Sequence, residues 1–104
     1  MKPTFQTQGD TLIAILRKPD IDLALIKNQM TETVHHLIFD LSKLQEISDV
    51  VLQNFTTFGN QLTGKNSFVM VLDGSFKEQF PIVPTIEEAF DYIEMENIER
   101  ALNF

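Results

Sequence analysis

The sequence predicts an α/β fold, and three observations predict it. Short apolar runs recur at residues 11–16, 36–40 and 68–72, each the length of a buried strand. Between the last two, Val51, Phe55, Phe58 and Leu62 fall at spacings of four, three and four, which is the period of a helix stripe. Helix-capping residues precede each helical stretch: Asp20, Ser48 and Thr85. Strands alternating with helices point to parallel neighbours joined by right-handed crossovers.

Taken in order, a short extended segment around Phe5 meets the turn residues Gln8-Gly9-Asp10, and residues 11–16 follow as a strand, giving a hairpin. Lys18-Pro19-Asp20 ends that strand, and Asp20 caps a short helix over 21–30 with Leu23, Ile26 and Met30 on one face. Residues 36–40 read as a central strand, and 42–47 as a loop. Ser48 then caps a helix whose first turn holds Asp49 and which ends at Gly64. After the strand at 68–72, Asp73-Gly74-Ser75 is a turn, and residues 80–83 form an edge strand, because Pro81 has no amide for a ladder. Thr85-Ile86-Glu87-Glu88 is a capping box for the last helix. Its apolar face starts with Ile86, Phe90 and Ile93 and is expected to continue through Ile98, Ala101 and Leu102, with a Glu96–Arg100 pair across one turn. The predicted order is β-β-α-β-α-β-β-α, in one domain spanning 1–104.

Composition narrows the function. The 104 residues include no Cys, which excludes disulfides, thiol catalysis and cysteine-bound metal. The net charge is −7, which opposes binding to nucleic acid or to an anionic membrane. No apolar run has the length of a signal-peptide core or a membrane span, so a cytoplasmic protein is expected. His35 and His36 are adjacent, and on a strand they point to opposite faces, a poor arrangement for one metal. The acids Glu87, Glu88, Glu94, Glu96 and Glu99 read as a solvated helix surface. No phosphate-cradling glycine loop or nucleophile elbow is present. The expectation is a protein without enzymatic activity or cofactor.

Two segments resemble a known family. Leu37-Ile38-Phe39-Asp40-Leu41-Ser42-Lys43-Leu44-Gln45-Glu46-Ile47 is similar to the strand and loop of the STAS (anti-sigma-factor antagonist) family, of the form hydrophobic-Asp-Leu-Ser-x-hydrophobic-x-x-Ile. Phe80-Pro81-Ile82-Val83-Pro84-Thr85-Ile86-Glu87-Glu88-Ala89 resembles that family's last strand and the cap of its last helix, and residues 89–102 are similar to a subgroup of short, stand-alone STAS-like proteins. The resemblance spans nearly the whole chain. It implies a STAS-like mixed sheet with its helices mostly on one face, and a protein partner of the anti-sigma or serine-kinase type. The helix that the family carries before its last strand is missing, since only residues 73–79 fill that interval.

In the family, Asp-Ser-(Ser/Thr)-Gly opens the second helix, and its first Ser is phosphorylated. Aligned on Asp40-Leu41-Ser42, this chain has Ser48 at the family's Asp and Asp49 at its phosphorylated Ser, followed by Val50 and Val51. A permanent carboxylate thus replaces a switchable hydroxyl, with less charge and fewer acceptor oxygens than a phosphate. A phosphorylation site moved to Ser48 is the weaker alternative, and capping alone also accounts for both residues. The expected partner-binding surface is Ser42, Lys43, Ser48, Asp49 and Gln53, with Asp73, Gly74 and Ser75. Two alternatives belong to other classes. One is a structural homo-oligomer or complex subunit using Phe76, Phe80 and the last helix. The other is a small-molecule-binding domain.

Overall fold

The computed structural model describes residues 3–20, 22–73 and 79–102. Its elements are β1 (Thr4–Gln8), β2 (Thr11–Ile15), α1 (Leu23–Gln29), β3 (His36–Asp40), α2 (Asp49–Thr63), β4 (Phe68–Val71), β5 (Ile82–Val83) and α3 (Ile86–Leu102). The strands form one mixed sheet in the order β1-β2-β3-β4-β5. β1 runs antiparallel to β2, and β2 through β5 are parallel. The β1–β2 hairpin turns through Gly9, whose φ of 61° is open to glycine and strained for other residues.

The period-two alternation of each strand sorts its side chains to two faces. Leu12, Ala14, Leu37, Phe39, Phe68 and Met70 face α1 and α2, where they pack with Ile26, Leu52 and Phe55. Ile13, Ile38, Val69 and Val71 face α3, where they meet Ala89 and Ile93. Two helices therefore lie on one face, and the third covers the other. This is why the central strands read as continuous apolar runs.

The helix termini follow capping chemistry. Ser48 Oγ accepts from the Val51 amide at 3.3 Å, and Gly64 closes α2 by donating its amide to the Asn60 carbonyl at 3.0 Å. Thr85 Oγ1 accepts from the Glu88 amide at 3.1 Å. α1 begins later than expected: Asp22, not Asp20, is its cap, and accepts from the Ala24 amide at 3.0 Å. Both acids precede the same apolar stretch, and the one whose carboxylate reaches an orphan amide takes the role. Leu23 is exposed, so α1 is anchored by the fully buried Ile26, with the half-buried Met30 at its end packed against the same core.

Three further expectations change. The buried stripe of α2 is Leu52, Phe55, Gly59 and Thr63, with Val51, Phe58 and Leu62 half-buried at its flanks. Ile98, Ala101 and Leu102 do not continue the apolar face of α3 but are exposed, because they project away from the side that carries Ala89 and Ile93. Phe80, offered above as an oligomer patch, is buried with Phe68, Met70 and Ile82 and presents no exposed ring. Phe76, its companion in that reading, lies outside the described residues. No described helix lies between β4 and β5.

Phe39 organises the first face. It is fully buried, and its ring meets Phe68 edge-on at 5.1 Å and Phe55 edge-on at 5.5 Å, with Phe58 at 6.5 Å. Phe68 in turn lies against the backbone of α2 at Gly59, where an added Cβ would overlap the ring. Replacing a mid-helix glycine by alanine ordinarily stabilises a helix by about 0.5–1 kcal/mol. Here the overlap reverses the sign, since overpacking costs about 1–3 kcal/mol. Denaturant titration of Gly59→Ala is expected to show a net loss of stability, and the loss is expected to shrink when the same change is made in a Phe68→Leu background.

Candidate functional site

At the carboxyl end of the parallel strands, the chain leaves β3 through a tight turn. Asp40 Oδ1 accepts from the Ser42 amide at 3.0 Å, and Leu44 donates its amide to the Leu41 carbonyl at 3.0 Å. A short polar side chain bonding an amide two residues on is an Asx turn, and it fixes where Ser42 and Lys43 emerge. Leu41 itself is buried and donates its amide to the Val71 carbonyl at 2.8 Å, which ties this turn to the end of β4.

Ser42 and Asp73 line one small cleft of about 180 Å³ there, together with Gln45, and over a floor of Leu44, Ile47 and Leu52. Ile47 leads directly into Ser48 and Asp49, so the first turn of α2 borders this cleft. Ser48 and Asp49 are exposed. The Ser48 hydroxyl is committed to the cap, and α2 presents its positive end with Asp49 in the first turn. Gln53 lies one turn further, exposed, with its amide donating to Thr57 Oγ1 at 3.2 Å. Lys43 points instead into a neighbouring depression with Arg17, Pro19 and Glu46. Gly74 and Ser75 lie outside the described residues.

Two residues of this end were not singled out as site residues from the sequence, although each had a readable signal. Asp40 positions the loop, and its signal was an Asp at a strand end with Ser two residues later. Val50 is 69% exposed, an apolar side chain held in solvent between Asp49 and the half-buried Val51. A helix stripe that starts at Val51 leaves Val50 outside it, and this offset was readable.

The opposite end of the sheet holds a second polar cluster. His35 and His36 do not point apart. His35 Nδ1 lies 3.3 Å from Asp10 Oδ2, and His36 Nε2 lies 3.6 Å from the same oxygen, because the ring of His35, just before β3 begins, turns back to the hairpin. The buried His36 accepts the Ser67 amide at Nδ1, at 3.0 Å. Ser67 Oγ accepts from Arg100 Nη2 at 3.0 Å. Asp10, His36 and Ser67 are the residue types of an acyl-transfer triad, but the geometry differs. The His36 lone pair holds a backbone amide, not the Ser67 hydroxyl, so the nucleophile–base bond of such a triad is missing. Between α2 and α3 on this side lies a wider polar cleft of about 650 Å³, with Asn60, Lys65, Phe80, Tyr92 and Arg100 among its walls.

Among the described residues no helix is long and apolar enough to cross a membrane, and no group of three or more metal-ligating side chains is suited to hold an ion. Neither a scan against protein-family models nor a search of curated proteins returns a match to this chain.

His36 generates a pH prediction. Burial lowers its pKa below the ordinary 6.5; Asp10 and Glu96 oppose this, and Arg100 and His35 add to it. The Ser67 amide also requires a neutral Nδ1 acceptor. The unfolded chain therefore binds the proton more readily than the folded one, so this contribution is complete above pH 6.5 and is lost as pH falls through the lowered folded value. Thermal melts between pH 7.5 and 5.5 are expected to show falling stability, and His36→Asn, which retains an acceptor but does not titrate, is expected to flatten that slope.

Proposed function

We propose that the chain is a non-enzymatic regulatory or adaptor module of the STAS type, which binds a protein partner through the carboxyl end of its parallel sheet and the first turn of α2. The observation that carries this reading is the exposed Ser48-Asp49-Val50 turn beside the Ser42–Asp73 cleft. It joins fixed charge, a helix amino end and an exposed apolar side chain on one rigid surface. Charges of this kind steer encounter and register, and a desolvated apolar side chain at the centre contributes affinity.

In this reading Asp49 supplies a constant negative charge where the resembled family places a switchable one, so the module is fixed in one binding state. The partner is of the anti-sigma or serine-kinase type, and the setting is cytoplasmic. Ser48 is the alternative phosphorylation site. Its hydroxyl already serves the helix cap, and a phosphate there would add about −1.5 to −2 charge to the same helix end. The buried Phe80 takes support from the homo-oligomer alternative. The 650 Å³ cleft favours the small-molecule alternative, and a thermal-shift screen of polar metabolites tests it: stabilisation lost in Lys65→Ala would support that reading over ours.

The test of the partner reading compares affinity capture by wild type, Asp49→Arg and Val50→Asp. A specific partner is expected with wild type and at least about tenfold less of it with either variant, a difference of about 1.4 kcal/mol. Equal capture by all three would overturn the assignment of this surface. Phosphate found on Ser48 in cells would show that the switch is retained one residue earlier.

A further inference from the structure

We infer that the outer face of α3 is a second docking surface, and that its occupant is a basic amphipathic helix of a partner protein. Five large apolar side chains are exposed among the described residues, and three of them lie on this one helix: Met95 at 59%, Ile98 at 50% and Leu102 at 78% exposure. Their spacings of three and four place them in one stripe. That stripe faces away from Ala89 and Ile93, which hold α3 on the sheet. It is not a displaced part of the core, because the opposite side of the same helix already packs there. A two-turn stripe at these spacings is the seam geometry by which one helix packs along another.

The charge around the stripe selects the occupant. At 100° per residue, Asp91 continues the line of Met95, Ile98 and Leu102 toward the helix start, while Glu87 and Glu94 flank one side and Glu88 and Glu99 the other. All five acids are exposed. Among the described residues of α3, no basic side chain lies on this face. Arg100, the one cation of α3, sits toward the sheet, where it donates to Ser67 and Asn97 and pairs with Glu96. A second copy of the chain would set one acidic rim against another, and like charges brought together at an interface cost affinity. A partner helix with Leu-like residues along one stripe and Lys or Arg at its flanks fits both the apolar line and its rim. This surface is separate from the α2 turn and stands or falls independently of it.

Fluorescence anisotropy with a labelled fourteen-residue Leu/Lys amphipathic peptide, against a Leu/Glu peptide of the same apolar pattern, tests the inference on the full chain. Wild type is expected to bind the Leu/Lys peptide and not the Leu/Glu peptide. Ile98→Asp is expected to weaken binding about tenfold or more, and Glu94→Lys with Glu99→Lys by a similar factor. The same charge change placed elsewhere, Asp20→Lys with Glu32→Lys, is expected to leave binding within about twofold of wild type. All these positions are exposed, so unchanged melting temperatures verify that the variants fold. Absence of binding, or equal loss with the distant charge pair, would overturn the inference. So would a wild-type dimer by light scattering that Ile98→Asp converts to monomer, since the occupant would then be a second copy.

Discussion

The structure depends on the burial of β3 from both sides. Leu37, Ile38 and Phe39 are each fully buried, and they alternate between the α1–α2 core and the α3 core. Burying side chains of this size stabilises by about 1.5–3 kcal/mol each, so this strand fixes where both helix layers can sit. Phe39 is the point of closest interlock. Its edge-on contacts with Phe55 and Phe68 set the distance between α2 and the sheet, and Gly59 lets Phe68 approach the helix backbone. Edge-to-face rings add directional preference to simple burial.

The same strand places the candidate site. Where β3 leaves the core, Asp40 closes an Asx turn and Leu41 stays buried, so the loop reaches Ser48 from a fixed origin. Because Leu52 and Phe55 anchor α2 about one and two turns beyond Ser48, its first turn is held rigidly at the surface. The side chains proposed to meet a partner therefore stand on a helix terminus and a hydrogen-bonded turn, not on a free loop. Rigid presentation limits the ordering cost of association. α3 repeats this arrangement on the other face: Ala89 and Ile93 fix it, and its outer side is left to solvent.

Much of this was legible in the sequence, for identifiable reasons. β3 and α2 follow strong local signals, a bounded apolar run in one case and Ser48, Asp49 and Gly64 at the ends of a periodic stripe in the other. The surroundings of Ser42 and Asp73 followed from the element order. What was not legible depended on choices between equivalent neighbours or on tertiary approach. Asp20 and Asp22 carry the same capping chemistry. His35 and His36 converge on Asp10 only because the hairpin brings that carboxylate to the start of β3. Ile98 and Leu102 look like core residues until their angle around α3 is compared with that of Ile93. Phe80 reads equally as a covering residue or a patch, and the packing of Phe68 and Ile82 decides for the core.

In the proposal above, a partner protein binds the carboxyl end of the sheet and the first turn of α2. Amide hydrogen exchange on the chain, alone and saturated with the partner that affinity capture identifies, tests it most directly. Slowed exchange is expected to be confined to residues 41–53 and to Asp73, with the hairpin turn at Gly9 and Asp10 unchanged. Slowed exchange at that hairpin end, with residues 41–53 unaffected, would contradict it.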